Sequence, residues 1–230
     1  MAYRPAFIST KNEMLIKIEN IEFKYFNGFA KKQKEKNVIS LHEQIKKRGH
    51  QKILEVSTYS TEELGRQLSA FNLLINYDNK KIPLECIFQG SKVFEFGGPY
   101  TDIFYKTNID AKRDKRLKVS GKIIKFKFND VEWDIEPKTA FYDWLYISTI
   151  YNNYKYLIEE LVSYDVFTDI SFNPKKSINC QAKSCAILVS LFHINKLEEA
   201  LFSKDKFLKI VYANETKKPI QKSLFNKELL

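Results

Sequence analysis

The segment Pro83-Leu84-Glu85-Cys86-Ile87-Phe88-Gln89-Gly90-Ser91-Lys92-Val93-Phe94-Glu95-Phe96 constrains this chain more than any other stretch. Wound as a helix at roughly 100° per residue, it puts Glu85, Gln89 and Lys92 within about 60° of one another and spreads Leu84, Ile87, Phe88, Val93 and Phe94 over most of the remaining circumference. Apolar side chains nearly all round demand burial, so the fold must wrap this helix. Its single polar stripe then has to be satisfied internally or by a ligand, because an unpaired buried charge is costly. Two readings stay open. In one, Glu85 and Lys92 belong to a structural network with Gln89 as spacer. In the other, the stripe floors a pocket in which a desolvated Lys92 amine acts as nucleophile or general acid and Glu85 shuttles protons, with Phe88, Val93, Phe94 and Phe96 keeping water out.

Pro83 suits the first turn of that helix, and Gly97-Gly98-Pro99 ends it near Phe96. Upstream, Phe71 to Tyr77 alternates toward a turn at Asp78-Asn79, and Lys81-Ile82 resumes, which predicts a hairpin. Met14 to Phe26 reads as one or two strands, Lys32 to Arg48 as a helix stopped by Gly49, and Lys52 to Ser57 as a short strand. Ser60, three residues before Glu63, predicts a capping box. Downstream, a strand is expected to carry Lys125 and Lys127 on one face and Phe126 and Phe128 on the other. Thr139 to Tyr156 predicts a core helix, Asn173 to Asn179 a loop, Gln181 to Phe192 an apolar helix and Leu197 to Val211 an amphipathic one. Without an internal repeat or a Gly/Ser linker, the expectation is a single compact α+β domain over residues 1–212, helix-rich around a small mixed sheet. Residues 213–230 are expected to be a loosely held basic tail.

Several function classes fall away on composition. Three cysteines, an odd number without a secretory leader, indicate free thiols rather than a disulfide framework. His42, His50 and His193 lie far apart and no Cys-x-x-Cys or His-Glu-x-x-His occurs, so no metal is expected. No stretch approaches about 18 uninterrupted apolar residues and the first five residues lead into no apolar run, so the expected location is the cytoplasm, with no membrane partner. The net charge of +10 and pI near 9.3 favour a polyanionic partner such as nucleic acid or a phosphate-rich ligand. Lysine is also what an AT-rich genome writes by default. The run Lys112, Arg113, Lys115, Arg116, Lys118, Lys122, Lys125 and Lys127 therefore reads either as a solvated face or as a surface for DNA phosphates.

The pattern Glu-x-x-x-Gln-x-x-Lys at Glu85, Gln89 and Lys92 follows the segment Leu68-Ser69-Ala70-Phe71-Asn72-Leu73. Together they resemble the NADAR family, whose members show a Leu-Ser-Asn-Phe-like segment and then a Ser-Val-Glu-His-Tyr-Tyr-Gln-Ala-x-Lys-like helix. Gly97-Gly98-Pro99-Tyr100-Thr101-Asp102, Phe141-Tyr142-Asp143-Trp144-Leu145-Tyr146 and Phe172-Asn173-Pro174-Lys175-Lys176-Ser177-Ile178-Asn179-Cys180-Gln181-Ala182 are similar to the subgroup encoded beside DarT-type DNA ADP-ribosyltransferase toxins. The similarity covers most of the chain, from about residue 3 to about residue 212.

This resemblance implies a mixed α/β fold and an N-glycosidase that hydrolyses the bond between ribose C1 of ADP-ribose and the exocyclic amino group of guanine in single-stranded DNA. It implies no cofactor, and an antitoxin role beside a cognate DarT-type toxin. Lys92 is implied as the amine that engages the anomeric carbon, a Schiff base with the opened ribose being one form of that engagement. Glu85 is implied for acid–base assistance and Gln89 to orient both. Ser69 and Asn72 stand on the side where ribose contacts are expected. Gly97 and Gly98 offer backbone N–H groups to a diphosphate, Phe71, Tyr100 and Trp144 rings for stacking on adenine or guanine, Asp102 a ligand contact beside them, and Lys175 and Lys176 charge near a helix start. The stretch Phe167-Thr168-Asp169-Ile170 lacks the Trp-Gly pair of other members, and Ala70 stands where they have Asn. Which of Asp165, Asp169, Asn173 and Asn179 faces the ligand is thereby left open. Two alternatives remain: the same fold acting on phosphoribosyl-amine metabolites, and a non-catalytic antitoxin that binds toxin or DNA.

Overall fold

Strands β1 (Ala2–Ser9) and β2 (Ile16–Phe23) pair antiparallel over their whole length and, with β3 (Ile53–Glu55) and β9 (Val166–Thr168), form a four-stranded sheet of order β2-β1-β9-β3. These coordinates are a computed structural model that describes residues 1–28 and 30–213; most of the expected tail lies outside the described residues. The β1 strand was not expected from the sequence. Its neighbours Ala6 and Phe7 enter different cores, as alternation in a strand requires: Ala6 packs with Val38, Leu41 and Ile45, and Phe7 joins the larger core. The first group lies on α1 (Lys31–Lys47), which covers one sheet face and is followed by Gly49 as expected. Helix α8 (Gln181–His193) packs against β1, β2 and β9 as part of the larger core. The short strands β3 (Ile53–Glu55) and β9 (Val166–Thr168) run parallel, and their register sets Glu55 beside Thr168.

The larger core brings together α2 (Glu63–Gln67), the hairpin β4 (Leu74–Tyr77) and β5 (Lys80–Pro83), α3 (Leu84–Gly90), and an antiparallel sheet of β6 (Lys92–Phe94), β7 (Ile123–Phe128) and β8 (Val131–Asp134). Around it stand α4 (Asn108–Arg113), α5 (Arg116–Val119), α6 (Ala140–Asn153), α7 (Ile158–Leu161), α9 (Leu197–Leu201) and α10 (Lys204–Val211). This is the expected α+β class.

Several boundaries are corrected. The helix expected to reach Phe96 ends at Gly90, where Ser91 turns both its N–H and its hydroxyl back onto Ile87 O, at 3.0 and 2.7 Å. The Ser91 carbonyl then accepts Lys127 N at 2.8 Å, which delivers residues 92–94 to β7 as a strand. Phe96 is 80% exposed and shields nothing. Gly90 is required by close approach, since a Cβ there would lie 2.6 Å from the Phe104 ring. No capping box forms: α2 starts at Glu63, whose carboxylate takes Arg66, while Ser60 Oγ accepts from Glu62 N. The expected helix 197–211 breaks at Ser203, whose hydroxyl caps α10 by accepting from Lys206 N at 3.2 Å.

A buried carboxylate locks α6 to α8. Asp143, fully buried, accepts from Ser184 Oγ through one oxygen, and from Thr139 Oγ1, Tyr212 OH and Lys183 Nζ (3.0 Å) through the other. So many donors offset the desolvation that would otherwise make such a group destabilising.

Candidate active site

Helix α3 is buried along its whole length, yet Glu85 and Gln89 share one side of it, and the first residue of β6 returns to the same side. Gln89 Nε2 donates to Glu85 Oε1 at 2.7 Å, and Lys92 Nζ donates to Gln89 Oε1 at 2.5 Å. Glu85 and Lys92 are thus joined through an amide that serves one as donor and the other as acceptor. The ammonium also lies 4.9 Å from the centre of the Phe88 ring. Burial pulls the Lys92 amine down to about 8, the Glu85 carboxylate pulls it up, and the charge of Lys112 pushes it down further. Such an amine is deprotonated often enough near neutral pH to act as a nucleophile.

A cavity of about 470 Å³ opens beside this line, walled by Ala70, Phe71, Glu85, Phe88, Gln89, Lys112, Tyr142, Asp169, Ser171, Phe172, Ser177, Asn179 and Gln181. Its size suits a nucleotide-scale ligand. Lys92 meets the cavity through Gln89 and Phe88 rather than on the wall itself. Lys112 Nζ lies 3.5 Å from Glu85 Oε1 and 4.3 Å from the centre of the Phe71 ring.

The opposite wall is stapled by Gln181 at the start of α8. Its Oε1 accepts Ala70 N at 2.7 Å, and its Nε2 donates to Val56 O at 2.6 Å and Asp169 Oδ2 at 3.0 Å. Asp169 Oδ1 is occupied by Ser171 N and Phe172 N, and burial lifts the carboxyl to about 6. Behind it stands Glu55, 1% exposed, accepting Ser57 Oγ, Thr168 Oγ1 and Ile170 N at 2.6, 2.6 and 2.8 Å. Glu55 therefore grips the residues on both sides of Asp169. Burial, with the Asp169 charge, pushes Glu55 up to about 8. Neither Gln181 nor Glu55 was singled out from the sequence, because each acts by joining segments more than a hundred residues apart.

The structure brings Phe71, Glu85, Gln89, Asp169 and Asn179 to the cavity wall, with Lys92 one contact behind. Of the four residues left open, Asp169 and Asn179 line the cavity and Asp165 and Asn173 do not. Ser69 is buried next to Ala70 in the chain, its hydroxyl without a hydrogen-bond partner among the described residues, and the Asn72 amide donates to Arg66 O. Tyr100 and Asp102 gather around Arg116 instead: the guanidinium lies 4.4 Å from the Tyr100 ring centre and 2.6 Å from Asp102 Oδ2. Gly97 and Gly98 stand off the cavity wall. The φ of Gly98 is +85°, and a Cβ there would strike the Lys92 carbonyl oxygen, so this glycine lets the loop pack on the backbone of the lysine. Trp144 is partly buried against the core, tilted 37° to Trp133 with ring centres 5.0 Å apart. Lys175 and Lys176 are exposed on a turn whose N–H groups are satisfied by Asn173.

A larger cavity, about 660 Å³, lies between α1, β3 and the 163–164 turn, and none of the motif residues reaches it. Its His42 donates to or accepts from Thr168 Oγ1 at 2.9 Å and is pulled down to about 4 by burial. Among the described residues no group of His, Cys, Asp and Glu side chains is arranged to hold a metal ion, and no helix is long and apolar enough to cross a membrane.

With this geometry in place, comparison with known families gives one decisive match: the family model described as the DarT1-associated NADAR antitoxin covers residues 2–221. The chain belongs to the NADAR family. Its DarT1-associated group is described as antitoxins, and the match takes in every element of the cavity wall. A search of curated proteins finds no match to the chain.

Proposed function

We propose that this NADAR protein is an N-glycosidase that removes ADP-ribose from the guanine amino group of single-stranded DNA and so reverses a DarT-type toxin. The observation that carries this reading is the Glu85-Gln89-Lys92 line: a half-buried amine brought down to about 8 and tied through one amide to a carboxylate on the wall of a nucleotide-sized cavity. The free Lys92 amine swings from Gln89 Oε1 into the cavity and adds to ribose C1 as the bond from C1 to the guanine nitrogen breaks. That nitrogen takes up a proton and leaves as unmodified guanine, and the C1–O4′ bond of the adduct then breaks, O4′ taking the proton from Nζ, to give an imine with the opened ribose. Water then adds to C1, the bond from C1 to Nζ breaks, and free ADP-ribose and the amine are restored. Glu85 relays the protons of both steps. Asp169 faces the ribose hydroxyls from the opposite wall.

The DNA itself would lie along a basic surface. Among the described residues Arg113, Lys115, Lys118 and Lys122 are exposed without an ion-pair partner, whereas Lys125 and Lys127 are paired with Glu132 and Asp130. Contacts of this kind are sensitive to salt. The domain is proposed to comprise residues 1–212, with the cytoplasm as its place of action and the cognate toxin as its partner.

Trapping tests the covalent route. Cyanoborohydride added during turnover of a guanine-modified oligonucleotide reduces an imine between Lys92 and the opened ribose, leaving ADP-ribose on the peptide that contains Lys92. A protein that turns the substrate over without any such adduct would contradict the covalent role.

A further inference from the structure

Among the described residues lining the candidate cavity Lys112 is the one cation, and two carboxylates, Glu85 and Asp169, share those walls. An ADP-ribosyl ligand brings a diphosphate into this space. Two negative charges beside two carboxylates would repel strongly in a partly desolvated site unless a cation intervenes. Lys92 is poorly placed for that task, being held on the Gln89 amide oxygen at 2.5 Å behind the wall.

The attachments of Lys112 differ in kind. Its backbone sits in the last turn of α4, which is held at its start, where Thr107 Oγ1 accepts from Asp110 N at 3.2 Å and Asn108 Nδ2 donates to Phe71 O at 3.2 Å, and just past its end, where Asp114 accepts from Lys106 Nζ at 2.7 Å. Its ammonium is held loosely. The 3.5 Å separation from Glu85 is longer than an ordinary hydrogen bond, the other contact is with the face of the Phe71 ring, and the side chain is 42% exposed. A fixed stem with an exchangeable head is the arrangement expected of a lysine that follows an anion.

We propose that Lys112 is the phosphate-binding cation of this site, leaving the Phe71 ring and the Glu85 carboxylate for the diphosphate of an ADP-ribosyl ligand. This rests on the functional reading above and adds a binding residue to it. The same movement clears the face of Phe71, 43% exposed at the rim, for a nucleobase to stack upon, and removes the counter-ion of Glu85 when substrate is bound. One ligand thereby exchanges one ammonium for two contacts that it needs.

Calorimetric titration of the full chain with ADP-ribose and with uncharged adenosine, for the wild type, Lys112→Met and Lys112→Arg, tests the assignment. Wild-type binding of ADP-ribose is expected to weaken by ~10–100-fold in Lys112→Met, the worth of one charge-assisted hydrogen bond, and to recover in Lys112→Arg. Adenosine binding is expected to stay the same or tighten in Lys112→Met, and the melting temperature to stay unchanged because the side chain is partly exposed. ADP-ribose binding equal in wild type and Lys112→Met would overturn the assignment while leaving the functional reading intact. A wild type that binds no ADP-ribose would overturn the functional reading and this inference with it.

Discussion

Lys92 Nζ donates to the amide oxygen of Gln89 across 2.5 Å, in a contact that spans the end of α3 and the start of β6. The amide nitrogen of the same Gln89 is committed to Glu85, so the amide cannot flip without losing both partners. Amine and carboxylate are thus held to one another through a single amide.

Gln89→Leu keeps the volume and removes both hydrogen bonds. The expected result is a fall of about 10²-fold in the rate of ADP-ribose release with an unchanged circular dichroism spectrum. A rate within twofold of wild type would mean that the amide does not couple the two groups.

On the proposed route the ionisation of Lys92 sets the pH dependence. With the amine brought down to about 8 by burial, the nucleophilic free base grows about tenfold per pH unit below that value and saturates above it. Single-turnover rates should therefore climb between about pH 6.5 and about pH 8 and level off toward pH 9. A flat profile would exclude a titrating amine as the nucleophile.

Glu55 makes a stability prediction with a defined sign. Its carboxyl is pushed from an ordinary 4.5 up to about 8, by burial first and the Asp169 charge second. A raised folded value contributes stability that is fully present below the unfolded value and lost as pH rises through the folded one. The wild type should lose stability from about pH 4.5 through about pH 8. Glu55→Gln, which keeps an acceptor for Ser57 and Ile170 and a donor toward Thr168, should flatten that loss and melt at or above the wild-type temperature at alkaline pH. Parallel melting curves for the two proteins from acid to alkaline pH would show that Glu55 does not hold a proton in the fold.

Gly98→Ala sets a Cβ against the Lys92 carbonyl oxygen at a φ of +85°. The cost should be ~1–3 kcal/mol of stability, read from denaturant midpoints, together with a lower rate because β6 carries the lysine. Unchanged stability and rate would mean that the loop is free to move away from Lys92.

The sequence exposed one side of the site and concealed the other. Glu85 and Gln89 are legible because helical spacing is local, and Lys92 kept its place in the line although its residue lies on a strand. That strand was hidden because its partner, β7, comes some thirty residues later, and the pairing of Lys92 with Phe126 leaves no trace in the spacing of residues 83–96. The strands β1 and β9 were missed for the same reason: β9 has three residues and owes its existence to two neighbours, β1 and β3, from far upstream in the chain. Gln181, Glu55 and Lys112 read as an ordinary helix start, a strand residue and one lysine in a basic run. Only the fold turns the first into a staple, the second into a clamp on Asp169 and the third into part of the cavity wall.

Release of ADP-ribose from guanine-modified single-stranded DNA, measured for the wild type beside Lys92→Ala with a thymine-modified strand as control, tests the central claim most directly. Guanine-selective release by the wild type and none by Lys92→Ala is the result predicted here. No release by the wild type, or equal release by both proteins, would contradict it: the first by removing the activity, the second by removing Lys92 from its centre.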